Sequence, residues 1–328
     1  MAVTVSHDTL AFSFPEVHAD AELYIEFVRT LRVPDYDTTH PLPPGLGSFD
    51  LLSGGHLGPR IHSTGWHTAD VLLPMWQSEA AWVNFASVYP FLVRIGVGGV
   101  NAVTGQAFSD DPDFDAEDYF EVPNQPRLDG FRTDASTVRQ FVAVPAADGQ
   151  STTEHVADAD DGTVRIEVIP LRGELWEARR IDPNRCSAEM VPEVDAWGAS
   201  LTGSMGLSAA GSLTRSIATP VEPRENWHPT ARSGAVLRIV NSVAWKELTG
   251  GEPHHPPLTI NEYRRHRFPW FEWYDDDSHA RRSARALSDG VVLAAPSDSG
   301  FEPKVRPDTE GAAGTVTCPP ASPARRRG

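Results

Sequence analysis

Phe91-Leu-Val-Arg-Ile-Gly-Val-Gly-Gly-Val-Asn-Ala-Val-Thr-Gly105 can be read in two ways, and the fold class turns on the choice. An apolar run followed by Gly96-Val-Gly98-Gly99 looks like the opening of a dinucleotide-binding loop, which would make the chain α/β. Such a loop needs a further glycine and then a helix whose first amides face a pyrophosphate. Position 101 is Asn101, and Gly105 closes the apolar run before a helix can start. Two strands, 91–97 and 100–104, joined by Gly98-Gly99 fit better, because glycine takes the positive φ that two-residue hairpin turns require.

Alternation with a period of two continues on both sides of this hairpin. Leu10, Phe12 and Phe14 alternate with small residues, and Leu23, Ile25 and Phe27 alternate with Glu22, Tyr24 and Glu26, so 3–33 reads as two strands. A helix over 21–31 competes, since Leu23, Phe27 and Leu31 also fit a spacing of four. Dense aromatic and β-branched residues and the stop at Val33-Pro34 decide for strand. Further strands are expected at 137–144, 163–169 and 235–240, with a weak one around 205–207. Pro41-Leu-Pro-Pro-Gly-Leu-Gly47 is a stiff loop, and the rest of 171–233 carries poor signals.

Helix signals come late. Asn241 or Ser242 caps 243–248, which Thr249-Gly-Gly251 ends. Thr259-Ile-Asn-Glu262 is a capping box, and Asp277 or Ser278 caps a last helix. These patterns predict a mainly β fold, α+β with few short helices: an antiparallel sandwich- or barrel-like core with the helices in the C-terminal third. One domain covers 1–295, with 146–162 as the seam if the chain divides in two. In 296–328 Pro, Gly, Ala, Ser and Thr dominate without apolar periodicity, so a disordered tail is expected there.

The net charge of −17 over 328 residues excludes a sequence-independent hold on nucleic acid and docking on an anionic membrane. No apolar run approaches the roughly 18–20 residues that span a bilayer. The start of the chain lacks the basic and apolar parts of a signal peptide, and Cys186 and Cys318 form no disulfide framework. The expectation is a soluble cytoplasmic protein without cofactor.

Chemistry is expected first in Leu73-Pro-Met-Trp-Gln-Ser-Glu-Ala-Ala-Trp-Val-Asn-Phe85. Glu79 stands beside Gln77, Asn84 and two tryptophans, where desolvation would suit a carboxylate to acid–base work. Glu79 is thus the catalytic candidate, with Gln77, Trp82, Asn84, Arg139 and Gln140 as ligand-binding candidates. The structural alternative for Glu79 is a buried ion pair, for instance with Arg94 or Arg139. Acidic 109–121 fails as a calcium loop, since Ala116 and Val122 replace the required Gly and Glu, and reads as solvated. The histidines, His254-His255 included, match no zinc spacing and read as solvated, so no metal site is expected. The aromatic patch Trp270-Phe-Glu-Trp-Tyr274 is a candidate docking surface.

The 73–85 block, Val100-Asn-Ala-Val-Thr-Gly105, Asp129-Gly130, Val138-Arg-Gln-Phe-Val-Ala-Val-Pro145 and Phe268-Pro-Trp-Phe-Glu-Trp-Tyr-Asp275 together resemble a widespread uncharacterised family of bacterial and fungal soluble proteins. The resemblance spans roughly 20–290 and implies no activity. Some members bear the label "integral membrane protein", which the lack of a spanning segment contradicts. Two functions follow as expectations. One is a small-molecule enzyme or ligand-binding protein with a pocket around Gln77, Glu79, Trp82 and Asn84. The other is a non-catalytic interaction or homo-oligomerisation module using the 270–274 patch.

Overall fold

The computed structural model describes residues 2–33, 39–40, 42–133, 137–145, 162–180, 205–214 and 217–254. Its strands are β1 (Ala2–Ser6), β2 (Thr9–Ser13), β3 (Glu22–Thr30), β4 (Gly45–Ser48), β5 (Leu52–Ser53), β6 (Val71–Pro74), β7 (Ala80–Ala86) and β8 (Phe91–Val97). They continue with β9 (Val100–Asn101), β10 (Phe120–Val122), β11 (Arg127–Leu128), β12 (Gly130–Arg132), β13 (Thr137–Pro145), β14 (Thr163–Pro170), β15 (Met205–Thr214) and β16 (Ser233–Val240). Helices α1 (Gly173–Arg180) and α2 (Ser242–Thr249) are short.

The strands make two sheets packed as a sandwich. The larger runs β1-β2-β3-β7-β13-β12, with β4 on β3, β11 on β7 and β15 on β13. The smaller runs β10-β8-β14-β16-β6-β5, with β9 on β8. The named pairs are antiparallel except β16 with β6. Between the sheets Leu23, Ile25, Phe27, Val83, Phe85 and Phe141 of the larger meet Val93, Ile95, Val97, Ile166 and Leu237 of the smaller in one buried cluster. Residues at period two share a face, so alternation in sequence becomes one buried side per strand. Among the described residues no helix is long and apolar enough to cross a membrane.

Gly98 and Gly99 have φ of 55° and 82° and join β8 to β9, Val97 facing Val100. The expected hairpin therefore forms, with its second strand ending at Asn101 instead of 104. Asn101 turns the chain out of the ladder: its side-chain oxygen accepts from the amides of Val103 and Thr104. The 21–31 segment is strand, and the N-terminal region holds three strands where two were expected. Asn241 caps α2 by accepting from the amides of Val243 and Ala244, and Gly250, at φ 82°, ends it. Helix α1 lies outside the C-terminal third, and its sequence gave poor signal because it has no buried residue. The capping box at 259, the last helix and the tail lie outside the described residues.

The acidic segment corrects an expectation. It is solvated only in part, because β8 is buried along its whole length and Arg94 within it is fully enclosed. Asp118 supplies the counter-charge from the acidic segment, its Oδ2 accepting from Arg94 Nε at 3.0 Å, while Glu167 on β14 accepts from Nη1 at 2.6 Å. Ser109 accepts from Nη2 through its carbonyl and hydroxyl. Phe108 lies over the guanidinium at 4.6 Å and against Gly96, where a Cβ would stand 2.6 Å from the ring. The loop therefore folds back over the outer face of the smaller sheet. Replacing Arg94 by Met leaves Asp118 buried without its cation and Glu167 with only the half-exposed Arg232, 3.5 Å away. We expect a loss of about 3–5 kcal/mol, read from urea unfolding of the full chain.

Candidate functional site

Glu79 sits where the chain leaves the smaller sheet at Pro74 and enters the larger at Ala80. The crossing is tied at both ends: Met75 N–H donates to Val240, Ser78 N–H to the Ala143 carbonyl, and Ala143 N–H to the Glu79 carbonyl. Between them the chain turns, with Glu79 N–H donating to the Trp76 carbonyl at 3.0 Å and Ser78 at φ 66°. This turn aims the Glu79 side chain inward. Its Oε2 accepts from Trp76 N–H at 3.0 Å, and its Oε1 accepts from Arg29 Nε at 2.7 Å. Glu79 and Arg29 are 3% and 4% exposed, so this is a buried ion pair. The partner is Arg29, not Arg94 or Arg139.

A third group completes the cluster. His254 Nε2 lies 3.2 Å from Glu79 Oε2. An ionised carboxylate only accepts, so Nε2 carries the proton. The imidazole meets Phe49 edge-on at 5.0 Å, and Trp76 Nε1 donates to the His254 carbonyl at 3.2 Å. The other ring nitrogen, Nδ1, is buried with no hydrogen-bond partner among the described residues. Asp50, at the surface, places Oδ2 3.9 Å from it. The array therefore runs guanidinium, carboxylate, imidazole, carboxylate, from core to surface. The expectation that His254 is solvated is corrected: its side chain is 6% exposed.

The other candidates do not converge on Glu79. Gln77 is half-buried at the corner of the same turn. Trp82 and Asn84 alternate on β7 with buried Ala81, Val83 and Phe85 and so face away from the sandwich core. Trp82 carries Arg127 over its ring at 5.5 Å, and Asn84 reaches Glu26 at 3.5 Å. Gln140 is fully buried and braces a neighbouring segment, donating to the Leu31 carbonyl at 2.9 Å and accepting from Val33 N–H at 3.0 Å. Arg139 is half-buried in β13 opposite Phe131. The 270–274 patch lies outside the described residues. Among the described residues no group of three or more ligating side chains could hold a metal ion.

Arg29 was legible in principle. It continues the inward phase of Leu23, Ile25 and Phe27, so a charge was due to be buried there and to need a partner. His254 sends no such signal, being 175 positions from Glu79.

Removing one member of a buried pair strands the other. Arg29→Met and Glu79→Leu should each cost about 3–5 kcal/mol in urea unfolding, while the double variant loses at least about 1 kcal/mol less than their sum. Additive losses would show that the two charges do not support each other. No family model matches the chain, and comparison with the curated proteins and with the solved structures found no match either.

Proposed function

We propose that this chain binds a small molecule at the Arg29–Glu79–His254–Asp50 array, and that His254 is its acid–base group. The observation that supports this is the unpartnered Nδ1 of a buried imidazole. Burying a polar atom without a partner costs about 1–3 kcal/mol, and the fold gains nothing visible in return. Glu79 takes a different part from the one its sequence context suggested. With both oxygens engaged, it holds His254 in the tautomer whose Nδ1 lone pair is bare, and Arg29 balances its charge. A carboxylate behind an imidazole is the arrangement by which histidine general bases are oriented. The ligand that matches is one offering a hydroxyl or N–H to Nδ1, with Asp50 as a second acceptor at the surface.

A structural latch is the competing account, favoured by the Trp76 Nε1 bond to the His254 carbonyl, which ties the chain end of the described region to the crossing. A thermal-shift panel of small hydroxyl and amide compounds, run on the full chain and on His254→Phe, separates the two. We expect at least one compound to raise the wild-type midpoint saturably and to leave His254→Phe unmoved. Glu79→Gln should weaken the same compound about tenfold, the loss of one charge-assisted hydrogen bond. If no compound distinguishes wild type from His254→Phe, His254 is a latch and the ligand reading falls.

A further inference from the structure

A second concavity lies away from this array. Val103 after the β8–β9 hairpin, Glu117 and Tyr119 of the acidic segment, Arg132 at the end of β12, and Ile217 and Thr219 beyond β15 line a depression of about 100 Å³. One water-sized group needs about 10–15 Å³, so a molecule of several heavy atoms fits.

Its walls are fixed in advance. Arg132 N–H donates to the Ala102 carbonyl at 2.9 Å, and Ala218 N–H donates to Gln125 Oε1 at 2.8 Å. The amides of Val221 and Glu222 donate to the buried carboxylate of Glu121 at 3.0 and 2.7 Å. Tyr119 packs edge-to-face on Phe114 at 5.3 Å. A site already ordered loses little conformational freedom when it is filled.

Two opposite charges share this depression. Arg132 and Glu117 line the same depression, yet neither makes an ion pair or a side-chain hydrogen bond among the described residues. Glu117 is held there at φ 50°, a left-handed conformation uncommon for a residue with a side chain. The Tyr119 hydroxyl stays a proton donor at neutral pH. Burial, and then the nearby Glu121, Glu117 and Asp118, raise its pKa to about 12.

A simple anion on Arg132 would also face Glu117, on a chain whose net charge is −17. A simple cation on Glu117 would face Arg132. A molecule carrying both charges satisfies both. We infer that the depression binds a small zwitterion of the α-amino acid class. Its carboxylate sits on Arg132 with Tyr119 as a further donor, and its ammonium sits on Glu117. The volume favours a short side chain.

Saturation-transfer NMR on the full chain tests this with L-alanine as the probe, and acetate and ethylamine as partners that carry one charge each. We expect saturable binding of L-alanine about tenfold tighter than either, equal to one lost charged contact. Arg132→Leu and Glu117→Gln should each weaken L-alanine about tenfold and leave the thermal midpoint in place, since both side chains are exposed. The proposal is overturned if L-alanine does not saturate, if acetate or ethylamine matches it, or if either substitution leaves its affinity unchanged.

Discussion

The Arg29–Glu79 pair is the constraint on which the sandwich depends. Any two-sheet fold must carry its chain from one sheet to the other, and at each crossing backbone groups leave the ladder without partners. Here the crossing at 75–79 gives Trp76 N–H to a side-chain carboxylate, and Arg29 supplies the balancing charge from the adjacent strand. The pair also fixes register. Arg29 faces Ala81 across the β3–β7 ladder, so Glu79 can meet it only when Ala81, Val83 and Phe85 point inward. A slip of one residue would turn those three outward and bring Trp82 and Asn84 into the core. A buried ion pair adds little net stability over apolar packing, but it penalises the wrong register heavily.

The smaller sheet meets a related problem by different means. The chain buries β8 on both faces, which leaves Arg94 on the outer face with no access to water. Its counter-charges arrive from β14 and from the acidic segment, which is drawn over the sheet. The same fold-back brings Glu117 and Tyr119 towards the hairpin end of the molecule, next to Arg132. One buried arginine thus explains both why an acidic segment lies on an apolar sheet and why a polar depression forms at its edge.

Period two, the Gly98-Gly99 turn and the Asn241 cap were legible because each is a local rule: alternation, positive φ, and orphan amides. What the sequence could not convey was which chain neighbours share a site. Gln77, Glu79, Trp82 and Asn84 stand close in the chain, and proximity alone suggested one pocket. Alternation places Glu79 inward with Ala81, Val83 and Phe85, while Trp82 and Asn84 go out with β7, so the four divide between two faces. Gln140 was visible as a polar residue in a core strand, but its role as a brace for 31–33 depends on a segment more than a hundred positions away. Short β4, β5, β9 and β11 have too few residues to show a period at all.

Satisfaction, more than burial, separates the polar groups that the fold explains from those it does not. Glu79 was singled out for its polar and aromatic neighbours in the chain; yet both its oxygens are taken up by Arg29, Trp76 N–H and His254, so its burial is accounted for by folding. Arg94, Glu121 and Gln140 are accounted for in the same way. His254 Nδ1 is left over among the buried groups, as are the indole nitrogens of Trp82 and Trp227, and Arg132 with Glu117 among those lining a concavity. A desolvated nitrogen costs free energy that packing does not return, because water would otherwise relieve it. An unrelieved group beside a surface carboxylate is what supports the proposed ligand site. On that ground the proposal rests on His254 Nδ1, with Glu79 as the group behind the ring.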